Sequence, residues 1–108
     1  MDKEEIKQGI LHLLTQSNSS IGDGMGYTLL EIKDFLKFNN VSEYSESDKE
    51  SWEKIKDLLN EMEEEDLIEE RHFGEILSGR VDYSIENKGL QLIKNKDKIL
   101  KTKWKLSE

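Results

Sequence analysis

The spacing of apolar residues changes character part-way along this 108-residue chain, and that change restricts the possible folds more than any other feature. Over residues 3–16, Ile6, Ile10, Leu13 and Leu14 fall at i, i+4, i+7 and i+8, one face of a 3.6-residue period. Over 28–38, Leu29, Ile32 and Leu36 form a second stripe with Phe35 beside them. Over 47–66, Trp52, Ile55, Leu59 and Met62 form a third, with Leu58 on its flank. The helical period then lapses. Residues 67–73 suit a strand, and Val81, Tyr83 and Ile85 alternate with Arg80, Asp82 and Ser84 as a half-buried strand does. Residues 87–105 return to helical spacing. The expected chain is mainly α with a small β-hairpin (α+β), in the order helix, helix, helix, strand, strand, helix. A short extra strand at Gly26-Tyr27 fits ahead of the second helix. None of these elements can bury a face alone, so the hairpin is expected to pack on the edge of the helical core, in one domain over 1–108.

Local signals sharpen the boundaries. Gly9 weakens the first helix slightly. Residues 17–26, with serine, asparagine and three glycines, read as a loop. Thr28 with Glu31 makes a capping-box pattern, and Asn39 and Asn40 can end that helix because asparagine tolerates the left-handed conformation. Ser47 with Glu50 makes a second capping box, with Asp48 in the first turn. Residues 74–79 form a glycine-bounded hairpin loop. In the last helix, Leu90, Ile93, Leu100 and Trp104 make one stripe, and Leu92, Ile99 and Leu106 make another on a different side.

Composition excludes several classes of function. No apolar run approaches the ~18 residues of a membrane span. The N-terminal stretch carries acids where a signal peptide is apolar, so a cytoplasmic location is expected. The absence of cysteine removes disulfide scaffolds, thiolate metal sites and cysteine nucleophiles. His12 and His72 are the only histidines, too few for a zinc site without several carboxylates. Residues 22–26 resemble a phosphate-binding loop weakly and lack its Gly-Lys-Ser/Thr ending. The acids from Glu61 to Asp66 read as a solvated helix face. No catalytic residue, metal or cofactor is therefore expected, and the chain does not read as an enzyme.

Two phrases carry a family resemblance. Residues 58–70, Leu-Leu-Asn-Glu-Met-Glu-Glu-Glu-Asp-Leu-Ile-Glu-Glu, resemble the "L..LE..GLI" passage from a recognition helix into the first strand of a wing. Residues 83–93, Tyr-Ser-Ile-Glu-Asn-Lys-Gly-Leu-Gln-Leu-Ile, are similar to the "Y.LT.KG..LL" passage from the second wing strand into the last helix. Both belong to the winged helix-turn-helix superfamily, notably PadR-like and MarR-like bacterial regulators. Residues 26–32 are similar to the start of the second helix in PadR-like proteins. The resemblance covers about residues 4–95 and implies order α-(β)-α-α-β-β-α. It further implies a homodimer that binds duplex DNA through the third predicted helix and the wing. Residues 87–105 would then be a C-terminal helix that dimerises, with Leu92, Ile99 and Trp104 at the seam.

Charge pulls against that implication. Residues 43–75 hold fourteen acids and four bases, whereas 88–105 hold seven lysines and one aspartate. If Trp52, Ile55, Leu59 and Met62 face inward, the third predicted helix presents Glu46, Glu50, Glu53, Lys54, Asp57, Glu61 and Glu64 outward. DNA binding depends on neutralising phosphates, and such a face repels them. Two readings follow. A DNA-binding transcriptional regulator would use Lys49, Ser51, Lys54, Arg71, His72 and Arg80. A protein–protein interaction module without DNA binding would use the acidic helix and an apolar wing tip, Ile76 and Leu77. Leu77 alternatively belongs to a longer strand and points inward.

Overall fold

The structure, a computed structural model, describes residues 2–16, 18, 25–94 and 104–105, apart from the side chains of Ile76, Leu77 and Lys94. Helix α1 (Lys3–Leu14) starts where the Asp2 carboxylate accepts the Glu5 N–H at 2.9 Å. Its apolar stripe, Ile6, Ile10, Leu13 and Leu14, is buried as the spacing predicts. Helix α2 (Leu29–Phe38) carries the expected capping box in both directions between Thr28 and Glu31. Its C-cap is Asn39, and the next residue, Asn40, has a φ of 64°, the left-handed conformation expected there.

Between α2 and the long helix lies α3 (Ser42–Ser45), one turn that no apolar period announces. A lysine holds it. The Lys33 ammonium donates to the Tyr44 carbonyl at 2.9 Å and the Glu46 carbonyl at 2.8 Å, and sits 4.6 Å from the centre of the Trp52 ring. Burial lowers the pKa of Lys33, with Asp48 and Glu46 acting in the opposite sense. Helix α4 (Lys49–Glu64) follows. It begins after Asp48, whose carboxylate accepts the Ser51 N–H at 2.8 Å, so the cap is Asp48 rather than the expected Ser47. Ile55, Leu58, Leu59 and Met62 are buried, and Trp52 is half-buried beneath Lys33.

Strands β1 (Ile68–His72) and β2 (Val81–Ile85) pair antiparallel, with Ile68 opposite Ile85 and His72 opposite Val81. A 3₁₀ turn over Gly74–Leu77 connects them, which excludes the longer strand considered for Leu77. The turn closes through residues with positive φ, Gly74, Ser78 and Gly79. In place of the short extra strand expected there, Tyr27 makes a single isolated bridge to Tyr83. Tyr83 is buried, 6% exposed, and its hydroxyl has a partner within the hairpin. It donates to Glu70 at 3.0 Å, and burial first, then Glu70, raises its pKa.

Helix α5 (Asn87–Lys94) buries Ile93. Leu90 is 46% exposed and so falls outside the buried stripe predicted for it. Trp104 and Lys105 are not helical, so the last helix does not run to 105 as expected, and Leu100, Ile99 and Leu106 lie outside the described residues. Trp104 is 2% exposed and stacks on Phe35 of α2, ring centroids 5.5 Å apart. Its ring lies against Gly9 of α1, where a Cβ would overlap it. Hence a substitution that ordinarily favours a helix by ~1 kcal/mol has the opposite sign here. Gly9→Ala should lower stability by about 1–3 kcal/mol through overpacking. In a Trp104→Ala background the same change should become stabilising, a reversal that urea denaturation of the four chains of the cycle would reveal.

Candidate interaction surface

The hairpin and the start of α2 are joined by a polar network with a buried carboxylate at its centre. Asp82 has no solvent exposure. Its Oδ1 accepts from Arg71 Nε at 2.8 Å, and its Oδ2 accepts from Arg71 Nη2 at 3.0 Å and from the Gly26 N–H at 2.8 Å. Arg71 and Asp82 face one another in the strand register, and this hydrogen bonding raises the arginine pKa. Arg80 lies against the same group, Nε 3.9 Å from Asp82, while its Nη2 donates to the Gly26 carbonyl at 2.9 Å and to Glu31 at 3.2 Å. Asn18 donates to the Gly26 carbonyl and to Glu31, each at 3.0 Å. Gly26 is required by close approach, since a Cβ would collide with the Tyr83 carbonyl oxygen.

Glu31 thus caps α2 and receives the hairpin. Burial alone would raise its pKa, but the Thr28 N–H, Asn18, the Thr28 hydroxyl and Arg80 together hold it below the ordinary glutamate value. A carboxyl held down in the folded state adds stability above its unfolded pKa and loses it as pH falls through the folded one. The wild-type chain should therefore lose stability from about pH 5 downward more steeply than Glu31→Gln. Urea midpoints across that range test this, and parallel slopes would refute it.

These contacts decide what the predicted DNA-contact residues can offer. Arg71 and Arg80 are engaged by Asp82 and Glu31 within the chain. Ser51 is 4% exposed and its hydroxyl donates to the Glu43 carbonyl at 3.2 Å, so it faces the interior of the α3–α4 junction. Lys54 lies 3.5 Å from Glu50 and 3.6 Å from Glu43. Lys49 is exposed, 3.9 Å from Glu53. His72 is exposed and its Nε2 lies 2.6 Å from Glu70. Lys49 and His72 thus remain solvent-facing, Lys54 half so, and the two arginines and the serine are taken up by the fold.

The outward side of α4 carries Glu50, Glu53, Asp57 and Glu64, all exposed. Glu61, placed on that ridge from sequence, instead joins α1, 2.6 Å from Lys3 and 3.2 Å from Lys7. Lys7 is buried and also donates to Glu65 at 2.7 Å; burial lowers its pKa, but the bonds to Glu65 and Glu61 outweigh this and raise it. At the expected dimer seam, Leu92 is 43% exposed, Ile99 lies outside the described residues, and Trp104 is withdrawn into the α1–α2 core. Ile76 and Leu77 sit in the 3₁₀ turn, with side chains outside the described residues. Among the described residues no helix is long and apolar enough to cross a membrane. No protein-family model matches the chain, and no curated protein or solved structure matches it significantly.

Proposed function

We propose that this chain is a winged-helix module that presents α4 to a protein partner with a cationic surface, rather than to duplex DNA. The order of elements, with a hairpin directly after α4 and a helix directly after the hairpin, supports the winged-helix reading. The observation that carries the choice of partner is the neutralisation of both hairpin arginines by Asp82 and Glu31. With those cations engaged, the surface around the hairpin and α4 is dominated by Glu50, Glu53, Asp57 and Glu64. A phosphate backbone meets repulsion on such a surface, whereas a basic protein surface is steered toward it.

The second reading, a dimeric DNA-binding transcriptional regulator, draws support from exposed Lys49 and Lys56 and from the lysine-rich sequence over 88–105. Titration against duplex DNA separates the two. The expected result is no saturable binding even at low salt. Binding that weakens steeply as salt rises is the signature of phosphate neutralisation and would favour the regulator.

A further inference from the structure

Trp104 and Lys105 occupy a slot that other elements shape for them. The Trp104 indole is sandwiched between Phe35 and the bare backbone of Gly9. Beside it, Asn39 reads the main chain of Lys105 at two points: Oδ1 accepts the Lys105 N–H at 2.8 Å, and Nδ2 donates to the Lys105 carbonyl at 2.9 Å. A hole for one side chain next to main-chain hydrogen bonds for its neighbour is the arrangement by which proteins take up extended peptides. Two features favour release of this segment. The Asn39–Lys105 bonds lie at the exposed surface. Trp104 Nε1 is buried with no hydrogen-bond partner among the described residues, and an unsatisfied buried donor weakens the closed form.

We propose that the slot between α1 and α2 is a receptor for a tryptophan-anchored extended peptide, and that Trp104-Lys105 is a strap filling it in cis until a partner segment displaces it. The partner's chemistry is that of the strap: a tryptophan followed by a residue whose N–H and C=O are both free for Asn39. A tethered strap competes at an effective concentration on the order of millimolar, so the site is masked in the resting chain. This inference is independent of what α4 binds.

The probe is a synthetic peptide of residues 101–108, Lys-Thr-Lys-Trp-Lys-Leu-Ser-Glu, titrated by calorimetry into the full-length Trp104→Ala variant. Saturable binding is expected, at least tenfold tighter than to the wild-type chain and at least tenfold tighter than for the same peptide with alanine in place of tryptophan. Adding Asn39→Ala to the variant should weaken it further. No binding to the folded variant, or equal binding of both peptides, overturns the proposal. Hydrogen exchange in the wild-type chain gives a readout that needs no variant. The Trp104 indole and Lys105 amide should exchange at least tenfold faster than the amides of Ile10 and Leu59. Protection equal to those core amides would mean that the strap opens only on global unfolding, and the proposal would fall.

Discussion

Replacing Asp82 with alanine is expected to remove about 3–5 kcal/mol of folding stability, the range for breaking a buried ion pair by deleting one partner. The carboxylate is wholly enclosed and takes two hydrogen bonds from Arg71 and one from the Gly26 N–H. Its loss strands the Gly26 donor in the interior and leaves Arg80 with Glu31 as its remaining counter-charge. Arg71 retains 27% exposure of its side chain and can partly rehydrate, which places the effect toward the lower end. The measurement is a urea titration with the slope checked, since an unchanged slope licenses reading the midpoint as stability. A loss below about 1 kcal/mol would mean the pair is not doing what its burial implies. The double variant Asp82→Leu with Arg71→Met should recover much of the loss, because an apolar pair of similar volume avoids the cost of taking two charges out of water.

The second large effect concerns affinity. Glu50→Lys, Glu53→Lys and Asp57→Lys together reverse the outward face of the first turns of α4, free Lys49 from Glu53, and leave Lys54 with Glu43 as its one carboxylate neighbour among the described ion pairs. If α4 is held as a groove-entering helix is held, this triple variant should bind duplex DNA where the wild type does not. Three neutralised phosphates correspond to a log–log salt slope of about −2.7. All three positions are exposed, and exposed substitutions of this kind usually shift stability by no more than about 0.5 kcal/mol each. A lysine in the first turn opposes the helix dipole at a further cost of about 0.3–1 kcal/mol. Failure to gain DNA binding at low salt would show that α4 is not presented in that way, and the winged-helix reading would lose its central element.

Most of the helical core was legible because periodicity reports burial directly. The stripes on α1, α2 and α4 and the Thr28–Glu31 cap are local patterns, and the structure has them except that Leu29 and Trp52 at the helix starts are only half-buried. What was missed depended on partners distant in sequence. Val81, Tyr83 and Ile85 were read as the inward side of β2, yet Asp82 between them is fully enclosed, because Arg71 and the segment at Gly26 cover the opposite face. Arg71 and Arg80 suit DNA contact by residue type alone, but in the fold both are held by carboxylates. The signal that could have found their role is the hairpin register, which sets Arg71 directly across from Asp82. Helix α3 has no apolar period and is held by a lysine eleven residues before Tyr44. Gly9 was read as a small defect in α1, whereas it is the floor for an indole 95 positions later, a relation no window of local sequence contains.

The two-stranded sheet has one edge met at a single residue and one edge open. Tyr27 bridges to β2 at Tyr83, whereas the outer rim of β1 has no strand or bridge beside it among the described residues. That rim carries Glu69, Glu70, Arg71 and His72 in succession, and a charged edge strand resists being extended by another chain. The open edge of the hairpin is thereby guarded against sheet growth between copies, so growth through β1 should be slower than for the same hairpin with an uncharged first strand.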